Sequence, residues 1–247
     1  RSWDEGAYNI DGCDYDGHDC VPEMELIGEN YVGFSKWAGG VIGHDGNIYA
    51  IPHQANQILR LDPNANSTIN STSLVGDDLT DVGDLKWWGG VVGLDGIIYC
   101  VPHSADSIMS YNPASQETRL IAEGHPILQS TSKFIGGVLA DNGFIYFIPS
   151  SNNKVVMFDP SNDTHPLTEI GDDLGNGERK MFGGVLGGDG NIYGIPRNGM
   201  RVLKINIKDE STSFIGEQYE GDWKWAGGAL AKDGNIYACP HSANQTL

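Results

Sequence analysis

A single pattern recurs five times along this chain and limits what it can become. The copies begin KWAGGVIGHDGNIYAIPHQANQILRLDP at Lys36, KWWGGVVGLDGIIYCVPHSADSIMSYNP at Lys86 and KFIGGVLADNGFIYFIPSSNNKVVMFDP at Lys133. They continue with KMFGGVLGGDGNIYGIPRNGMRVLKINI at Lys180 and KWAGGALAKDGNIYACPHSANQTL at Lys224. The leading lysines lie 50, 47, 47 and 44 residues apart. A unit of that length cannot bury its own apolar face, so the copies must stack on one another.

Each copy reads as strands. A Gly-Gly-Val run and an Ile-Tyr run flank Asp45-Gly46, Asp95-Gly96, Asn142-Gly143, Asp189-Gly190 and Asp233-Gly234. Such pairs tolerate φ > 0 at both central positions, so two-residue type I′ hairpins are expected. A third strand follows, as in QILRLDP or KVVMFDP, and then a shorter fourth, as in STSLVG or STSFIG. Four antiparallel strands in about 45 residues match one blade of a β-propeller.

The expected fold class is therefore all-β: a single five-bladed propeller over residues 1–247, with four antiparallel strands per blade. The last copy stops after its second strand. Ala7–Asp11 lines up with a third strand and Met24–Gly28 with a fourth, so one blade would be closed by both termini. The alternative is an open piece of a six- or seven-bladed array. The D-G-x-I-Y-x-I-P rhythm resembles NHL-type, lactonase-type and streptogramin-lyase-type blades over most of the chain. That resemblance implies the fold. Some members are enzymes with a channel metal, but their catalytic residues map onto no positions here, and fold analogy alone licenses no activity.

Composition excludes several partners. The formal charge is −18, which argues against DNA or RNA, since phosphate binding needs a basic face. It also disfavours an anionic membrane surface. No apolar run approaches the roughly 20 residues of a membrane-spanning helix. The chain starts at Arg1 without Met or a signal-like segment and is expected to be a processed or excised piece.

Residues 1–23 form an acidic, Gly-rich stretch expected as a loop region within the closing blade. Cys13 and Cys20 bracket CDYDGHDC, and two cysteines so close in a loop point to a local disulfide in an oxidising compartment. Cys100 and Cys239 sit on second strands of non-neighbouring blades and read as small buried residues. NIDGCDYDGHDC resembles the end of a Lin12/Notch repeat, whose members bind calcium. By resemblance, Asn9, Asp16 and Asp19 fall on ligand positions; Asp14 is a further candidate from local charge. Tyr8 stands where that family has a cysteine, so its disulfide pairing does not carry over. The plainer alternative is a solvated acidic loop with one staple. Asn-x-Ser/Thr signals for glycosylation occur at Asn66, Asn70, Asn162 and Asn244.

In a propeller, the loop entering the first strand and the loop after the second open on one face. That places Lys36, Trp37, His53 and Asn56 with Lys86, Trp87, His103 and Asp106, and with Lys224, Trp225, His241 and Asn244. Phe134 and Met181 replace Trp in the other copies, and Ser150 and Arg197 replace His. One reading is a ligand-binding face, with Trp stacking on a sugar and polar groups holding its hydroxyls. A three-imidazole metal site of His53, His103 and His241 is another. The structural alternative pairs each lysine with a loop aspartate such as Asp78 or Asp222, packs the tryptophans between blades and uses Gly-Gly for close strand approach.

Motifs of serine hydrolases, zinc proteases, phosphate loops and sialidases are absent. The leading expectation is an extracellular or cell-surface, non-catalytic glycoprotein. It would act as an interaction or assembly module, with other proteins or copies of itself as partners and glycans as a further class. Calcium is the one cofactor expected. A lectin using the Trp/His/Asn sector is the first alternative, and a channel-metal lyase or hydrolase the second.

Overall fold

The computed structural model describes residues 26–66 and 69–247. They form an all-β propeller of five successive antiparallel sheets. Blade 1 holds β1 (Trp37–Ile42), β2 (Ile48–Pro52), β3 (Ile58–Leu61) and β4 (Thr72–Val75). Blade 2 holds β5 (Trp87–Val92), β6 (Ile98–Pro102), β7 (Ile108–Asn112) and β8 (Glu117–Ile121). Blade 3 holds β9 (Phe134–Leu139), β10 (Ile145–Pro149), β11 (Val155–Phe158) and β12 (Leu167–Ile170). Blade 4 holds β13 (Met181–Leu186), β14 (Ile192–Pro196), β15 (Val202–Ile205) and β16 (Thr212–Ile215). Blade 5 has β17 (Trp225–Leu230) and β18 (Ile236–Pro240) among the described residues.

The core lies between blades. Tyr49, Ile51 and Ile58 of blade 1 pack with Trp87, Ile98 and Met109 of blade 2. Equivalent clusters join blades 2 and 3, 3 and 4, and 4 and 5. A backbone bond repeats at each of these seams. Lys86 N–H donates to the His53 carbonyl, Lys133 to His103, Lys180 to Ser150 and Lys224 to Arg197, at 2.9 to 3.0 Å. No matching bond joins Lys36 to His241 among the described residues, and β17 does not pack on β1 as β1 packs on β5.

The closing blade is thus visible in part. Ala7–Asp11 lies outside the described residues, as does Met24–Glu25. Leu26–Gly28, the rest of the expected fourth strand, is not in strand conformation. Gly28 nevertheless sits where such a strand ends. A Cβ on it would strike Thr72, as one on Gly76 would strike Thr118 and one on Gly171 would strike Thr212. At the other end the Ala238 N–H donates to the Leu247 carbonyl, 2.9 Å away. Leu247 thereby takes the register of Leu59 opposite Ala50 and of Met109 opposite Cys100.

Inner strands approach closely because they carry glycine. A Cβ on Gly39 would stand 3.1 Å from the Gly89 Cα, and one on Gly89 would stand 3.3 Å from the Gly136 Cα. These glycines have φ near +78°, +77° and +75°, and the register of each first strand shifts there. A bulge with a left-handed glycine re-aims the side chains beside it.

The hairpins differ from the expected type I′. Gly46 has positive φ but Asp45 does not, and Gly46 N–H donates to the Gly43 carbonyl. Each is a three-residue loop: a type I turn closed by a left-handed glycine. The Asp45 carboxylate accepts from the Asn47 N–H (3.1 Å) and the Tyr49 hydroxyl (2.7 Å), bonds that hold the turn. Cys100 is fully buried, but Cys239 is exposed, because blade 5 is not enclosed on both sides among the described residues. The Cys13–Cys20 staple and the calcium candidates Asn9, Asp14, Asp16 and Asp19 lie outside the described residues.

Candidate functional site

The two loop sets meet as expected. His53 N–H donates to the Lys36 carbonyl, and the equivalent bond recurs at His103, Ser150, Arg197 and His241. The residue before each lysine has a left-handed backbone although none is glycine: Ser35, Leu85, Ser132, Arg179 and Trp223, with φ from 47° to 57°. Such conformations cost energy and gather where a site is built. Here their carbonyls accept from the loop after the second strand, as Leu85 does from Ser104 N–H and Trp223 from Ser242 N–H.

The lysines serve these loops. Lys86, Lys133, Lys180 and Lys224 are buried. Lys133 Nζ donates to the Ser130 (2.6 Å) and Ala105 (2.9 Å) carbonyls; Lys36, Lys180 and Lys224 each reach a glycine carbonyl at 2.7 Å. None of the five forms an ion pair among the described residues. The expected pairing with Asp78 or Asp222 is replaced by carbonyls, because the side chain turns inward under its own loop. Burial pulls the Lys133 ammonium down to about 8.

The first-strand tryptophans are structural as well. Trp87 is wholly buried and Trp225 nearly so. The indole N–H of Trp37 donates to the Gln57 carbonyl, that of Trp87 to Ser107 and that of Trp225 to Gln245, at 2.9 to 3.0 Å. Trp37 is half-buried, so part of its ring remains at the surface, whereas the Trp87 and Trp225 rings are enclosed between strands. Asn56, Asp106 and Asn244 are exposed at the outer part of their loops. Asn56 donates to the Thr80 hydroxyl of the next loop (2.8 Å).

The channel mouth is lined instead by residues that sequence reasoning passed over: Trp88, Phe182 and Trp223. Trp88 follows Trp87 across the bulge and points the other way. Its ring stands 5.0 Å from His53, 5.4 Å from His103 and 5.9 Å from Phe182. Phe182 lies under Arg197 (5.0 Å), whose guanidinium rests 3.4 Å from the Trp223 ring centre. Trp223 is tilted against His241 (5.5 Å), and Arg179 approaches it from 5.3 Å. Rings from blades 1, 2 and 4 therefore touch in sequence, and the Arg197 guanidinium links them to those of blade 5.

The imidazoles do not assemble as a trio. His53 and His103 stand edge to face at 5.3 Å, while His241 is exposed beside Trp223. His53 Nδ1 is 2.9 Å from the Trp87 carbonyl, so that nitrogen carries the proton. Burial lowers the pKa of both rings. That of His103 falls to about 4, with the neighbouring charges of His53, Lys133 and Arg179 adding to burial. Among the described residues no three His, Cys, Asp or Glu side chains come close enough to hold a metal.

Asn66, Asn70, Asn162 and Asn244 are all exposed. The first three fall between third and fourth strands, away from the channel.

No protein-family model matches this chain, and no curated protein matches it. Solved structures do. Virginiamycin B lyase from Staphylococcus aureus matches with a TM-score of 0.66 at 14% identity, over 85% of this chain and 65% of that one. A chain of the nidogen/laminin complex gives 0.60 at 13%, over 85% and 74%. An extracellular domain from B. thetaiotaomicron gives 0.61 at 10%, over 82% and 26%. The chain thus spans 65% of the length of the lyase it matches. At these identities the likeness establishes the β-propeller fold and nothing finer.

Proposed function

We propose that this chain is an extracellular, non-catalytic recognition propeller that contacts its partner through the channel mouth and acts in assembly with other proteins or copies of itself. The carrying observation is the face itself. Rings from four blades close over the channel, and among the described residues no carboxylate bonds to the histidines or arginines there. Such a surface is built for contact by stacking and cation–π attraction. A nidogen/laminin chain and an extracellular domain among the structures of like fold support the reading, as do four exposed glycosylation signals.

Light scattering of the secreted protein across rising concentration tests it. Mass should climb above the monomer and fall back on Trp223→Glu. Monomers at every concentration would remove self-assembly. Calcium bound at Asn9, Asp14, Asp16 and Asp19 belongs to the same proposal. It should raise the melting temperature, with reversal by chelator.

A further inference from the structure

Two arginines of blade 4 rest on aromatic rings but meet no hydrogen-bond acceptor or carboxylate among the described residues. Arg197 is 5% exposed, yet its guanidinium has no hydrogen bond and no ion pair among the described residues. Five donors on a buried cation ordinarily find acceptors. Its nitrogens are not sealed off either; they retain access to solvent at the channel mouth. Arg179 stacks on the same indole and likewise lacks a carboxylate among the described residues. Like charge from Arg179 adds to burial in lowering the Arg197 pKa. All this sits in a chain with 33 acidic side chains, so acceptors were not scarce. Ser150, which takes the Arg197 position in blade 3, also has a buried hydroxyl without a partner.

We infer that Arg197 and Arg179 hold the oxyanion of an acidic saccharide, a carboxylate or sulfate on a sugar ring, with Trp223 and Phe182 as the apolar walls. Guanidinium forks match such oxyanions with paired charge-assisted bonds. The platform suits a sugar better than a small aromatic acid. Trp223 is 39% exposed, so it offers a plane at the surface and not an enclosed slot. The inference rests on the channel mouth being the recognition surface, and it places the sugar at Trp223 and Phe182 instead of at Trp37, Trp87 and Trp225.

The test is tryptophan fluorescence titration of the whole chain with trigalacturonate, a sulfated disaccharide, the neutral trisaccharide maltotriose and inorganic sulfate. At least one acidic sugar should bind tenfold or more tightly than maltotriose and than sulfate. Arg197→Gln should weaken it at least tenfold, and Arg179→Gln, at an exposed position, serves if the first variant does not fold. Arg119→Gln, far out on blade 2, should leave it unchanged. Equal affinity for neutral and acidic sugars, or no loss in either arginine variant, overturns the inference. Sulfate as tight as the sugars reduces the site to a bare anion site and overturns it too. Light scattering of the unaltered chain separates the two readings: assembly without any acidic-sugar binding sinks the ligand assignment alone, and acidic-sugar binding by a chain that stays monomeric sinks self-assembly alone.

Discussion

The channel mouth has two unlike halves. In blades 1 and 2, His53 and His103 lean on Trp88, and a backbone carbonyl stands at each Nδ1. In blades 4 and 5, Arg197 and Arg179 lean on Trp223, and among the described residues no carbonyl or carboxylate meets their guanidiniums. The first half sets histidines that recur in three of the five copies around Trp88, which does not recur. The second uses residues that break the repeat: Arg where other copies have His or Ser, Trp and Arg where they have Ser or Leu. What recurs holds blades together; the two arginines that depart lie against aromatic rings with bonding capacity unmet among the described residues.

The sharpest way to break this contrast is to remove neighbouring aromatics. Trp87 is buried in the seam between blades 1 and 2, so Trp87→Ala should cost about 3–5 kcal/mol by urea denaturation. Trp88, one residue on and half-buried at the mouth, should cost about 1 kcal/mol as Trp88→Ala. Equal losses would erase the distinction between blade and face.

Acid should separate the halves next. The folded-state pKa of His103 is about 4, below the 6.5 of an ordinary imidazole, so the fold favours the neutral ring. The stability this confers is fully present above pH 6.5 and is lost as pH falls toward 4, a change on the order of 3 kcal/mol. His103→Asn should flatten that part of the melting-temperature profile, while Arg197→Gln should leave it as steep. A profile insensitive to His103 would show that burial does not hold this imidazole neutral.

Two glycines then compare backbone with backbone. Gly89→Ala meets both a left-handed φ and the Gly136 Cα at 3.3 Å. Gly46→Ala meets the φ alone, with open space around it. The conformational cost is about 1–2 kcal/mol for each, so Gly89→Ala should lose that and more. Similar urea midpoints for the two would mean the inner strands can move apart freely.

The repeat made strands, blades and the meeting of the two loop sets legible, because each depends on residues present in every copy. Strict alternation hid the rest. Strand alternation sends Trp87 and Trp88 to opposite faces, but the left-handed glycine bulge beside them shifts the register that follows, and no counting of apolar and polar positions exposes a bulge before its register is known. The second aromatic in KWWGG and KMFGG was the available signal. Arg197 was visible only as a missing histidine. The turn type was misread because Asp45 accepts bonds from Asn47 and Tyr49, which suits a type I turn with glycine third. Lysine partners could not be foreseen, since backbone carbonyls leave no mark in a sequence.

The finest comparison sets one repeated bond in two settings. Tyr99 donates to the Asp95 carboxylate at 2.8 Å with its ring 3% exposed, and Tyr237 donates to Asp233 at the same length with its ring 46% exposed. The two bonds share their geometry and differ in solvent. Removing the hydroxyl in Tyr99→Phe leaves a carboxylate oxygen short of a donor beside a buried ring, a loss of about 1 kcal/mol. In Tyr237→Phe water can replace the donor, and the melting temperature should hardly move. If both variants melt alike, the value of this turn lies in its local geometry and not in the seam that covers it, and the claim that recurring residues act through blade packing would have to be narrowed to the apolar ones.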